Sequence, residues 1–143
     1  MNKPFIMLVD DEAAFVEAIA RRLIKRDLNV ISANSGDEAI EKIGQNHSLD
    51  VVILDVKMPG MDGIETLKEI KKEYPLIEVI MLTAHATVET AIEGMKRGAF
   101  DYLMKPCEIE QLVSKVEEAT AKKRSHEEKI REARIKELTS RHG

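Results

Sequence analysis

Five short apolar runs punctuate the chain: Phe5–Val9, Asn29–Ala33, Val51–Leu54, Val79–Leu82 and Phe100–Met104. Four are apolar almost throughout, as strands covered on both faces should be. The second, Asn29-Val-Ile-Ser-Ala33, is more polar, which predicts an edge strand. Amphipathic segments lie between the runs. Phe15, Ile19 and Leu23 recur every four residues, with Val16 and Ala20 beside them. Ser35 followed by Gly36-Asp-Glu38 predicts a capped helix through Ile40 and Ile43. Asp62 is placed to cap a third helix carrying Ile64, Leu67 and Ile70, which Tyr74-Pro75 ends. Val88, Ala91, Ile92 and Met95 form a fourth stripe that Gly98 closes. Ile109, Leu112, Val113 and Val116 start a fifth after Pro106. Strands alternating with helices predict an α/β fold: a parallel sheet, right-handed crossovers, and helices on both faces.

The 143 residues suit one domain with a real core. Aromatic residues are only 3% and Trp is absent, which argues against a base-stacking platform. A single cysteine, Cys107, rules out an intrachain disulfide and a four-cysteine zinc site. The first apolar run stops at Asp10 and Asp11, too short for a signal peptide or membrane span, so a cytoplasmic setting is expected. The net charge of −4 hides a division. Of 22 Lys/Arg and 26 Asp/Glu, eight bases and four acids follow Glu118. The preceding residues therefore hold 14 bases and 22 acids, or −8, and the tail is +4. Residues 1–120 are expected to form the domain, and 121–143 a charged helical extension.

In open α/β sheets, ligands bind beyond the carboxyl ends of the strands. The residues just past the runs are therefore the candidates. Asp10 and Asp11 follow the first run, Asp55 the third, Thr83 the fourth and Lys105 the fifth. Three carboxylates in one pocket repel one another, and a bound cation relieves that. All-oxygen donors favour a hard metal such as Mg²⁺. A carboxylate can attack phosphorus, and phosphoryl transfer needs positioning and charge neutralisation above all. Taken singly, these residues have plainer readings. Asp10 and Asp11 suit a helix start, and Asp55 suits a loop before Pro59-Gly60. Thr83 suits a cap and Tyr102 suits strand packing.

Four segments resemble the receiver domain of bacterial two-component response regulators. They are Leu8-Val-Asp-Asp-Glu12, Leu54-Asp-Val-Lys-Met-Pro-Gly-Met-Asp-Gly63, Leu82-Thr-Ala84 and Gly98-Ala-Phe-Asp-Tyr-Leu-Met-Lys-Pro106. The likeness spans about residues 4–120 and leans toward the nitrogen-regulator branch. It implies a flavodoxin-like (βα)5 sheet in the order 2-1-3-4-5, with the last helix extended into the tail. It also implies Asp55 as phosphoacceptor, and Mg²⁺ held by Asp11 and Asp55, with Asp10 beside them and the backbone carbonyl of Lys57. Lys105 would contact the phosphoryl group, Thr83 and Tyr102 would form the switch pair, and the Lys105–Pro106 bond would be cis. A sensor histidine kinase would donate the phosphoryl group, and the protein would catalyse its own dephosphorylation.

Two other readings remain open: a phosphorylation-independent interaction module on the same fold, and a Mg²⁺-dependent phosphohydrolase. Lys57 weighs against the second, because haloacid-dehalogenase-like enzymes carry an acid two residues past the nucleophile. Residues 119–142 are rich in helix formers, with Glu127→Arg131, Glu132→Lys136 and Glu137→Arg141 at favourable spacing. No heptad seam is sustained. Two readings of this helix stand open: a solvated helix or frayed end, and a surface that, like the face made by the fourth helix, fifth strand and fifth helix, meets a homodimer partner or another protein. No direct DNA binding is expected, because acids interleave the bases. No phosphate-binding loop of the ATPase type occurs, and 25 residues after Glu118 are too few for an output domain.

Overall fold

The computed structural model describes residues 2–58 and 60–142. Its elements follow the predicted alternation. The strands are β1 (Phe5–Val9), β2 (Asn29–Ala33), β3 (Val51–Leu54), β4 (Glu78–Thr83) and β5 (Asp101–Met104). The helices are α1 (Ala13–Lys25), α2 (Gly36–Gln45), α3 (Gly63–Glu73), α4 (Val88–Lys96) and α5 (Ile109–His142). All pairings are parallel, in the order β2-β1-β3-β4-β5. Residue Phe100 falls just before β5, its N–H donating to Val79 O at 2.7 Å.

Alternate residues of the central strands feed two separate cores, as the period of two requires. Met7, Val9, Val52, Leu54, Val79 and Met81 pack with Ala39 and Ile43 of α2 and with Leu67 and Ile70 of α3. Ile6, Leu8, Val51, Ile53, Ile80 and Leu82 pack with Val16 and Leu23 of α1 and with Leu112 and Val116 of α5. Strands β3 and β4 are wholly buried, whereas β2 is only partly covered, as an edge strand should be.

Local chemistry sets the helix ends. Ser35 accepts from the Glu38 N–H at 3.2 Å, and Asp62 from the Glu65 N–H at 2.9 Å. The Glu38 carboxylate reaches back to the Asn34 N–H, one residue before the cap. Gly98 closes α4 at φ +100°, a conformation other L-residues resist. Helix α1 has no side-chain cap. The acids before it are thereby left to the strand ends.

Helix α5 runs unbroken through the point where the charge changes sign. Its 34 residues span about 51 Å at the usual rise. The first basic residues of the tail are built into the domain. Lys123 is buried, with Nζ 3.3 Å from Asp50 and 3.1 Å from Glu127. Arg124 donates to Asp50 and to the carbonyls of Asn2 and Lys3. Lys122 lies 3.0 Å from the buried Glu78 carboxylate, which Lys71 meets at 3.1 Å. Glu127 thus pairs back to Lys123, and Arg131 pairs with Glu128 instead. The expected Glu137–Arg141 pair forms at 2.7 Å.

Candidate functional site

The parallel sheet brings its five carboxyl ends to one rim. Asp10 leaves β1 with its N–H on Ala33 O, and Asp55 leaves β3 with its N–H on Val9 O. Lys105 leaves β5 with its N–H on Thr83 O. These backbone bonds carry the strand ladder one residue further, so each of these side chains emerges at a position fixed by the sheet. The chain after Asp55 then doubles back, with the Gly63 N–H donating to Val56 O at 2.7 Å. A Cβ on Gly63 would collide with Asp55 O and lie 2.6 Å from Val56 Cα, so only glycine permits this return.

One carboxylate oxygen from each of Asp10, Asp11 and Asp55 lies within 4.8 Å of the others. Asp10 and Asp55 are each 3% exposed, while Asp11 faces solvent. Lys105 Nζ crosses to them: 2.6 Å to Asp10, 3.5 Å to Glu12 and 3.9 Å to Asp55. The Glu12 N–H donates to the other Asp10 oxygen at 2.9 Å, and the Val56 N–H to Asp55 at 2.8 Å. A cleft of about 390 Å³ opens above, lined by Asp11, Glu12, Asp55, Lys57, Met58 and His85.

Burial pushes the Asp55 carboxyl above the ordinary aspartate range, and the neighbouring Asp10 charge adds to this. The Thr83 hydroxyl, the Lys105 charge and the Val56 N–H act against the rise without cancelling it. Burial alone would lower the Lys105 ammonium, but its bond to Asp10 and the charges of Asp10, Asp55 and Glu12 outweigh burial and raise it. A crowded set of acids therefore meets a firmly charged lysine. The donors are all oxygen, and one side of the cluster is open through Asp11. That set fits a hard divalent cation that keeps part of its water shell.

Thr83 and Tyr102 lie on adjacent strands, with Met81 opposite Tyr102 in register. Thr83 does not cap α4. Its hydroxyl accepts the His85 N–H at 3.0 Å and holds the turn after β4. The cap of α4 is Thr87, in a reciprocal box with Thr90. The Tyr102 hydroxyl is 2.8 Å from Thr90 Oγ1, and its ring lies over Gly94. The Lys105–Pro106 peptide is cis. Asp10, Asp11, Asp55, Lys57, Thr83 and Lys105, each expected at this rim from the sequence, meet there; Glu12 and Met58 of the cleft lining were not singled out, nor were two neighbours outside it. One is the Phe15 ring, whose centroid is 3.8 Å from Lys105 Nζ. The other is Thr90, which partners Tyr102.

Residues 6–117 match the family model described as the response regulator receiver domain. The chain belongs to the response regulator receiver domain family. Members of this family are phosphorylated by histidine kinases and generally use Mg²⁺. The transcriptional regulatory protein ZraR of Escherichia coli is 43% identical over 116 residues, covering 81% of this chain and 26% of ZraR. The DNA-binding transcriptional regulator NtrC of Escherichia coli is 36% identical over 119 residues, covering 83% of this chain and 25% of NtrC. This receiver chain thus spans about a quarter of the length of those relatives.

Among solved structures, a receiver domain protein from Clostridium thermocellum superposes with a TM-score of 0.81 at 38% identity, covering 85% of this chain and 97% of that one. The NtrX receiver domain from Brucella abortus gives 0.76 at 32% identity, covering 81% and 98%. Among the described residues, no helix of the receiver chain is long and apolar enough to cross a membrane.

Proposed function

We propose that this receiver takes a phosphoryl group from a sensor histidine kinase onto Asp55, in a reaction that requires Mg²⁺. The observation that carries the reading is the setting of Asp55. It is a buried carboxylate at the floor of an open cleft, with a second buried acid beside it and a lysine ammonium 3.9 Å away. Asp10, Asp11, Asp55 and the Lys57 carbonyl would hold the metal, which would supply charge neutralisation at the transferring phosphoryl oxygens.

The residues of the chain do the rest. The Val56 N–H fixes one Asp55 oxygen, leaving the other free to attack. That oxygen forms a bond to phosphorus as the phosphorus–nitrogen bond of a phosphohistidine breaks, and the imidazole leaves with a proton from solvent. Lys105 has only to exchange Asp10 for a phosphoryl oxygen to stabilise the product. Thr83 would give up the His85 N–H and donate its hydroxyl to the phosphoryl group. Tyr102 would then leave Thr90 and turn toward the space behind Thr83. Water attack at phosphorus then breaks the bond to the Asp55 oxygen, releases inorganic phosphate and returns Asp55 to a free carboxylate.

The exposed side chains Val88, Ile92, Met95 and Met104 lie on α4 and β5, which makes the α4-β5-α5 face the surface we assign to a homodimer or another protein. The α5 extension is the other candidate. The domain itself is proposed to act in the cytoplasm without direct DNA contact. Incubation with acetyl phosphate and Mg²⁺ tests the reading by intact mass. One phosphoryl adduct, lost in Asp55→Asn, is expected. An adduct that survives Asp55→Asn overturns it. Steady release of phosphate from many phosphomonoesters would favour a phosphohydrolase instead.

A further inference from the structure

Lys105 Nζ stands over the face of Phe15, 3.8 Å from the ring centroid. That is well inside the range of a cation–π contact, about 6 Å. Phe15 is the third residue of α1, the helix that begins directly after the acid run Asp10-Asp11-Glu12. We propose that Phe15 is a positioning residue, whose ring holds the Lys105 ammonium beside Asp55 while its anionic partner changes. The proposal rests on the reading of Asp55 as phosphoacceptor.

The ion-pair partners of this ammonium are carboxylates, and two of them, Asp10 and Asp55, belong to the acid cluster itself. The shortest, to Asp10, weakens when a cation neutralises the acid cluster. The Lys105 side chain is only 10% exposed, so water cannot replace a lost partner in full. Glu12 is 3.5 Å away but its side chain is 65% exposed, which makes it a weak and screened anchor. The ring of Phe15 is uncharged. It neither competes for the metal nor repels the incoming phosphoryl group, and its attraction to the ammonium persists through the exchange. An aliphatic side chain would fill the same space without the quadrupole that does this.

Phe15 is half-buried and also packs on the α1 side of the sheet, beside the cluster of Leu8 and Val16. A packing role and a positioning role predict different outcomes when the side chain is varied. Phe15→Leu and Phe15→Met keep an apolar group but remove the ring face, and Phe15→Tyr keeps it. The longer contact of Lys122 over Phe100, at 5.6 Å, is remote from the acid cluster, so Phe100→Leu controls for general loss of an aromatic contact.

The experiment is the rate of phosphorylation of the full chain by acetyl phosphate with Mg²⁺, followed by intact mass, alongside thermal melting of each variant. We expect Phe15→Leu and Phe15→Met to slow the reaction roughly three- to thirtyfold, the range that cation–π energies span. Phe15→Tyr and Phe100→Leu should stay within about twofold. In the Lys105→Met background, Phe15→Leu should add no further loss. Equal rates for Phe15 and its Leu and Met variants overturn the proposal, as does a slow Tyr variant or a full additional loss in the Lys105→Met background. A wild-type chain that accepts no phosphoryl group, from acetyl phosphate or from a phosphorylated histidine kinase, overturns the Asp55 reading itself. Normal wild-type phosphorylation with unaffected Phe15 variants overturns only the role of Phe15.

Discussion

Tyr102 and Thr90 share a hydrogen bond of 2.8 Å, and Thr90 is also half of the box that caps α4. Its hydroxyl lies 3.0 Å from Thr87 Oγ1 and accepts the Thr87 N–H at the same distance. The strand β5 aromatic is thus joined to the start of the neighbouring helix through a single hydroxyl. Thr90→Val keeps the shape and removes that hydroxyl. It should cost about 1 kcal/mol, the usual net worth of a hydrogen bond, and speed amide exchange in the first turn of α4. Tyr102→Phe leaves the box intact and should cost less. Chemical denaturation and hydrogen exchange check the pair.

Asp55 is raised by burial, so its folded value lies above its unfolded one. A group shifted in this direction stabilises the fold below its unfolded value, and that contribution is lost as pH rises through the folded value. At neutral pH, without divalent cations, the buried charge is therefore a cost. Asp55→Asn should melt at a higher temperature than wild type near neutral pH. The gap should narrow as pH falls through the raised folded value and close below the ordinary aspartate range, where the carboxyl is protonated in both folded and unfolded chains. Melting curves across this window check the sign.

Mg²⁺ should stabilise the wild-type chain for the same reason, by relieving repulsion among Asp10, Asp11 and Asp55. Ligand at a hundred times its Kd contributes about 2.7 kcal/mol. Asp11→Asn removes the most accessible donor and should abolish most of the rise in Tm. Chelation should return wild type to its metal-free melting temperature.

Asp50 anchors the far end of the sheet. Its carboxylate accepts from the Phe5 N–H at 2.8 Å and is met by Lys123 and Arg124 of α5. Asp50→Ala removes the acceptor of the Phe5 N–H and the shared partner of Lys123 and Arg124, leaving Lys123 with Glu127 alone, and should cost about 1–3 kcal/mol. Glu132→Ala, further along the same helix and exposed, should change stability by no more than about 0.5 kcal/mol. Urea denaturation separates the two.

The strands and the rim acids were legible because each sits where a periodic pattern stops. Asp10, Asp55 and Lys105 follow apolar runs directly, and a parallel sheet turns that one-dimensional fact into a shared rim. The edge strand was legible too, from the single polar break at Ser32 and the exposed Asn29. Contacts between distant segments left no such trace. Nothing local says that Phe15 meets Lys105, since an apolar residue at that helical position is equally required by the core. Thr90 looked like a polar residue between stripe positions, and its partner Tyr102 is twelve residues on. The sign change of charge near residue 121 drew attention to composition, while the burial of Lys123 depends on Asp50, 73 residues earlier. Pairing of charges across the fold is set by geometry that composition does not contain.

Borohydride trapping reads out which carboxylate accepts the phosphoryl group proposed for Asp55. An acyl phosphate is reduced to an alcohol, so a phosphorylated aspartate becomes homoserine while free carboxylates are untouched. The full chain is phosphorylated in the presence of Mg²⁺, trapped, digested and sequenced by mass spectrometry. Homoserine is expected at position 55 alone, and none when Mg²⁺ is chelated. Conversion at Asp10, Asp11 or any other acid, or no conversion in a chain that has gained a phosphoryl group, would contradict it.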